Sequence, residues 1–152
     1  MKLLCDEIGY GQPLRNRWAK QHKNLSPPLK WSGAPKGTVE FALICDDPDA
    51  SGGVWTHWLI WGLPATATEL PQGVAKTETV ASLGGVRQGR NDSGNLGYDG
   101  PQPPSGTHRY FFRLYALSAP LGLAPGASAQ EVRAALEGKV LAAAETMGTY
   151  SR

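Results

Sequence analysis

The chain has 152 residues, 41% of them hydrophobic and 18% charged, and a formal net charge of +2 at pH 7. That length suits one domain, residues 1–152, with a core of its own. The charge is too small for a nucleic-acid footprint, and no stretch approaches the roughly 20 apolar residues of a membrane-spanning helix, so stable membrane insertion is not expected. Glycine (19) and proline (12) are abundant without a repeat, which points to a loop-rich, mainly β protein.

At the N-terminus, Leu3-Leu4-Cys5 looks like the end of a lipoprotein signal, but no apolar core of about 7–15 residues precedes it. The chain is read as unprocessed and cytoplasmic. Its two cysteines, Cys5 and Cys45, include no CxxC pair, so no cysteine-based metal or redox site is expected. Cys45 sits in an apolar run and reads as a buried thiol, and a disulfide is not expected in a cytosolic chain.

Residues 1–40 show weak periodicity and many turn residues. Ser26-Pro27-Pro28 must be extended or turning, and Trp31 to Gly37 is a further turn cluster. Thr38 to Cys45 reads as a strand with Val39, Phe41, Leu43 and Cys45 on one face. It enters an acidic turn, Asp46-Asp47-Pro48-Asp49, whose carboxylates can cap nearby backbone N–H groups. Val54 to Leu63 reads as its antiparallel neighbour. Simple alternation groups His57 with Trp55, Leu59 and Trp61, and sets Trp58 and Ile60 on the other face.

Residues 65–83 are mixed, with an edge strand expected near Thr77 to Leu83. Gly84 to Gly106 reads as a long irregular loop, mobile at its glycines and pinned near Tyr98 and the prolines. Thr107 to Leu117 is the clearest strand, apolar enough on both faces to be covered on both sides. Ser128 to Glu131 is a capping-box pattern, which predicts a helix over Ala129 to Met147 with Val132, Leu136, Val140, Leu141 and Ala144 as its stripe. Gly138 would cost that helix about 1 kcal/mol, and Gly148 would end it.

Two of the three histidines, His57 and His108, begin apolar strands beside Pro/Gly turns. An acidic turn directly precedes the strand of His57. An imidazole beside a carboxylate has its charged form favoured and becomes a donor for phosphate or carboxylate ligands. Trp55 and the prolines can supply a stiff, partly apolar rim. The plainer alternative is a pair of satisfied core histidines and a solvated turn.

The set Asp47-Pro48-Asp49-Ala50, Trp55-Thr56-His57, Gly100 to Pro104 and Thr107 to Tyr110 resembles the phosphatidylethanolamine-binding protein family. More narrowly, it resembles the bacterial and archaeal Raf-kinase-inhibitor-like branch. Leu25 to Leu29 with Trp31-Ser32-Gly33 is similar to that family's N-terminal motif, and Gly148-Thr149-Tyr150 to the end of its closing helix. The resemblance implies a mainly β fold: a central antiparallel sheet packed on a smaller sheet, with a C-terminal helix. It also implies a small anion pocket formed by Asp47, Asp49, Trp55, His57, Pro103, Pro104, His108 and Tyr110. Arg109 alternates to the opposite strand face, where a structural ion pair is expected. Gln102 stands where many members carry a small residue and bears on the ligand's size.

The function so implied is non-catalytic binding of a small anionic ligand (phosphate, a phosphorylated or carboxylated molecule, or a phospholipid head group), with no cofactor. The family includes kinase and protease inhibitors, although no residue here identifies a protein partner. Its bacterial members point to a homodimer. Two enzyme readings compete. His57, His108 and Asp47 could form a facial triad in a metal-dependent hydrolase, but no second ligand set accompanies them. Ser51 or Ser105 could serve a serine hydrolase, but neither lies in a Gly-x-Ser-x-Gly elbow.

Overall fold

The computed structural model describes residues 1–152. In chain order the elements are β1 (Lys2–Cys5), β2 (Leu29–Ser32), β3 (Glu40–Asp47), β4 (Trp55–Pro64), β5 (Glu69–Leu70), β6 (Thr79–Val80), β7 (Val86–Gln88), β8 (Thr107–Leu117), α1 (Ala129–Leu136) and β9 (Val140–Ser151). β6-β7-β4-β3-β8-β9 form a six-stranded antiparallel sheet, and β1-β2-β5 a three-stranded one. The expected mainly β, two-sheet architecture is therefore present.

The pleat of β3 and β8 explains why both faces of the large sheet are covered. Phe41, Leu43 and Cys45 of β3 and Tyr110, Phe112, Leu114 and Ala116 of β8 join the larger apolar core against Leu3, Trp31 and Leu70 of the small sheet. Ala42, Ile44 and Leu117 point the other way, into a second core with Val132 and Leu136 of α1. Each fully buried Leu, Ile or Phe contributes about 1.5–3 kcal/mol, so these two layers fix the strand register. Val39 lies before β3 and is exposed.

The largest departure from the sequence reading is the C-terminus. Ser128 does cap α1, with the reciprocal Ser128–Glu131 capping box in place. The helix, however, ends at Leu136, because Glu137 is extended and Gly138 has a φ of 77°. Val140 to Ser151 then returns as β9, in antiparallel register with β8 from Leu117↔Val140 to Thr107↔Ser151. Its alanines favour helix in isolation, but pairing along the whole of β8 outweighs that preference. Ala142, Ala144 and Tyr150 pack against the larger core, whereas Val140 and Leu141 stay exposed. Gly148 is consequently a packing residue and does not stop a helix. A Cβ there would lie 2.5 Å from Leu14 Cδ2.

The 84–106 segment is pinned near Tyr98 as expected, but it differs from expectation elsewhere. Val86 to Gln88 is a sheet strand, and the remainder is docked onto the body of the protein. Tyr98 is buried and its hydroxyl donates to the Trp18 carbonyl at 2.7 Å. Asp92 N–H donates to the Thr56 carbonyl, and Thr56 N–H to the Asp92 carboxylate at 2.7 Å. Gly100 lies so close to the Trp18 backbone that a Cβ would sit 1.9 Å from that carbonyl oxygen. This glycine permits a close approach of two backbones, which is the opposite of mobility. Cys5 and Cys45 are free, buried thiols. No helix is long and apolar enough to cross a membrane.

Candidate functional site

Three strand ends and the docked loop enclose a cavity of about 260 Å³. β3 contributes Asp47, β4 contributes Trp55 and His57, and β8 contributes His108 and Tyr110. Gly100, Gln102, Pro103 and Pro104 form the loop wall, with Asp99, Ser93, Ala50, Ser51 and Lys20 completing the lining. Of the residues singled out in the sequence, Asp47, Trp55, His57, Pro103, Pro104, His108 and Tyr110 come together here.

Asp49 does not line this cavity. Its carboxylate accepts from Arg109 Nη2 at 2.8 Å, Arg109 Nε at 2.9 Å and Arg109 N–H at 2.9 Å. That guanidinium holds the Asp49 carboxyl down at about 2. Arg109 thus makes the ion pair expected of the far strand face, and Asp49 fastens the β3–β4 turn to the start of β8.

His57 reaches the cavity through a β-bulge. Cys45 pairs with Trp58 and Asp46 with Thr56, so His57 is the extra residue between them. A bulge interrupts alternation and re-aims one side chain. The expected grouping of His57 with Leu59 and Trp61 fails for this reason. Leu59 and Trp61 enter the α1 core, while His57 stands edge-on to Tyr110, ring centroids 5.2 Å apart. His57 Nδ1 lies 2.8 Å from the Asp99 carbonyl oxygen. A carbonyl only accepts, so Nδ1 carries the hydrogen. Burial pushes the imidazole below its ordinary pKa, against the opposing pull of the Asp99 carbonyl and the Asp47 charge. The expectation that a neighbouring carboxylate keeps this histidine charged is corrected here: desolvation outweighs it.

His108 is arranged differently. Its Nδ1 is 2.6 Å from Asp47 Oδ2, while Asp47 Oδ1 accepts from Asp49 N–H at 2.8 Å. The buried carboxylate therefore orients one ring edge of His108 and leaves Nε2 at the other. The His108 and Tyr110 rings are stacked with centroids 6.4 Å apart. Burial, and next the Asp47 charge, push the Tyr110 phenol well above its usual range, so it stays a donor.

The loop wall is held by Asp99. Burial alone would raise its carboxyl, but hydrogen bonds from Asn95, Asn24 and Asn91 overcome that and leave it lowered. Asn24, at a φ of 55°, also accepts from Gly100 N–H at 2.7 Å. Lys20, Ser93 and Asp99 are the site residues that the sequence reading missed. Asp99 had a signal in its position beside Gly100-Pro101, whereas Lys20 enters from a segment without periodicity.

The sequence profile described as phosphatidylethanolamine-binding protein matches residues 6–151. A UPF0098 protein of Methanothermobacter thermautotrophicus is 51% identical over 90% of this chain and 89% of its own length. One from Aquifex aeolicus is 43% identical over 100% of this chain and 89% of its own. Among solved structures, Escherichia coli YbcL, described as a member of the mammalian PEBP family, has a TM-score of 0.92 and 34% identity, covering 99% of this chain and 98% of its own. The Chlamydia trachomatis homolog CT736 has a TM-score of 0.89 and 32% identity, covering 99% of this chain and 97% of its own. The chain belongs to the phosphatidylethanolamine-binding protein family.

Proposed function

We propose that this protein is a non-catalytic binder of a small phosphorylated or carboxylated ligand, seated between His108, Tyr110 and the Gly100 to Pro104 wall. The observation that carries the reading is the Asp47–His108–Tyr110 arrangement at the cavity. A buried carboxylate fixes one imidazole edge, and a phenol held protonated lies beside it. Tyr110 makes no hydrogen bond within the protein, yet its hydroxyl is not among the enclosed side-chain atoms left without a partner, so it is free to donate to a ligand. Lys20 adds positive charge to the lining. A cavity of about 260 Å³ suits a phosphate or head-group fragment more than a drug-sized molecule.

The hydrolase readings draw no support from the side chains present. No group of three His, Cys, Asp or Glu side chains is placed to hold a metal ion. Both Asp47 oxygens already accept hydrogen bonds, and both Nδ1 atoms of the two histidines are engaged. Ser51 lines the cavity but donates no hydrogen bond to either histidine.

Calorimetric titration with phosphate and with phosphoethanolamine, on the unmodified protein and on His108→Ala, tests the reading. Saturable binding that His108→Ala abolishes is the expected result. Absence of binding by the unmodified protein overturns the assignment.

A further inference from the structure

The cavity presents an acceptor where an anion-binding site would ordinarily present a donor. With Nδ1–H committed to the Asp99 carbonyl, His57 keeps its lone pair on Nε2. That atom has no protein partner. It is also not fully enclosed, because Trp31 Nε1 is the sole enclosed side-chain nitrogen or oxygen left unpartnered. His57 lines the cavity, so its free ring edge opens there. Asp47 lines the same space and keeps its negative charge close by. A fully ionised phosphate would set an oxygen lone pair against Nε2 and a second negative charge against Asp47. A phosphate bearing one proton meets both conditions: its P–OH donates to Nε2, and its remaining oxygens accept from Tyr110.

Resting on the reading above that the site takes a phosphorylated ligand, we propose that it selects phosphate in its singly protonated form, a monoester monoanion whose P–OH donates to His57 Nε2. His57 is then the residue that sets specificity. Sulfate, which carries no proton at neutral pH, is rejected. A phosphodiester, which has no P–OH, is rejected as well, so the ligand is a free phosphate or a phosphomonoester and not the diester head group of a glycerophospholipid. Buried polar groups discriminate strongly between ligands that do and do not complete their hydrogen bonds.

The charged and titratable groups around His57 are Asp47 from β3, His108 and Tyr110 from β8, Asp92 and Asp99 from the docked loop, and Lys20. Burial lowers the His57 pKa and so favours the neutral ring, while a monoester loses its second proton near a pKa of about 6. Affinity therefore follows the ligand's ionisation: it is greatest below that pKa and falls about tenfold per pH unit above it.

The test is titration of the intact protein with methyl phosphate, methylphosphonate, sulfate, phosphoethanolamine and glycerophosphoethanolamine. Sulfate and glycerophosphoethanolamine should bind at least about a hundredfold more weakly than the corresponding monoesters. The pH profile should move upward for methylphosphonate, whose second ionisation lies higher. His57→Gln can turn an amide N–H toward the ligand and should narrow the phosphate–sulfate difference, with a thermal melt reporting whether the variant is folded. Equal affinities for sulfate and phosphate, or for the mono- and diester, overturn the selectivity while leaving anion binding intact. One pH profile shared by phosphate and phosphonate assigns the titration to the protein and overturns it too. Failure of every anion to bind overturns the function proposed above, and this selectivity with it. If His57→Gln does not fold, the ligand series on the unmodified protein still decides.

Discussion

Asp46 and Asp47 are consecutive, both almost fully buried, and chemically identical, yet they face different worlds. The pleat sends them to opposite sides of the large sheet. On the α1 side, Asp46 is held by two guanidiniums, Arg113 Nε at 3.1 Å and Arg133 Nη2 at 3.3 Å. Arg133 also donates to Thr56 Oγ1, and Arg113 reaches Glu145 and stacks over Phe111. On the cavity side, Asp47 meets no arginine. Its partners are one imidazole and one backbone N–H. A guanidinium stays charged at every accessible pH and saturates a carboxylate with fixed forks, whereas an imidazole leaves a second nitrogen for a ligand. The same side chain is structural in one register position and available for binding in the next.

Replacement of Asp46 by alanine should cost the most stability, about 2–3 kcal/mol by urea denaturation, because Arg113 and Arg133 lose a buried shared acceptor. The figure is below that for a fully buried ion pair because both arginines are partly exposed. Phosphate affinity should be unchanged, and a parallel loss of affinity would show that the two faces are coupled. Asp47→Asn should do the reverse. It should lower ligand affinity at least about tenfold by releasing His108, while changing stability by less than about 1 kcal/mol. An unfolded Asp47→Asn protein would place both aspartates in the structural class.

A third test separates the capped helix from the cavity. Ser128→Ala removes the capping box of α1 and should cost about 1 kcal/mol with no change in ligand affinity, measured by the same denaturation and titration. A fourth concerns pH. The folded pKa of His57 is depressed by burial, so the unfolded chain takes up a proton there first. Stability should therefore fall as pH drops below about 6.5 and level off once the pH has passed below the folded value. His57→Gln should flatten that part of the curve, and an unaltered slope would assign it to other groups. The smallest effect is expected at Asp49. Arg109→Ala should return its carboxyl from about 2 toward the ordinary carboxylate range near 3.9, read by carbonyl NMR titration. Because Asp49 is largely solvated, the accompanying stability change should be small and should shrink further in salt.

Much of this was legible in the sequence. The strands β3, β4 and β8 carry largely apolar runs with aromatic and β-branched residues, so their existence follows from local pattern. The capping box marks the start of α1 one residue after Ser128. The spaced motifs placed Asp47, His57, His108, Tyr110 and the prolines around one cavity. What local pattern could not supply was anything decided by a partner strand or a distant loop. Val140 to Ser151 has the composition of a helix and becomes a strand because β8 offers it a full-length edge. Lys20 and Asp99 reach the cavity only because the 84–106 loop docks on Trp18 and Asn24. The face of His57 depends on one bulge in the β3–β4 register.

The sequence alone thus determined the residue types available for binding and the strands that carry them, because composition and period-two alternation are local properties. Tertiary structure alone decided which nitrogen of each histidine is free and whether the twelve residues of β9 wind or extend. Each of these is settled by a hydrogen-bond partner remote in sequence: Asp99 for His57, 42 residues away, and Asp47 for His108, 61 residues away. Burial makes such partners obligatory, since a polar group enclosed without one costs about 1–3 kcal/mol. Only the folded chain brings them within reach.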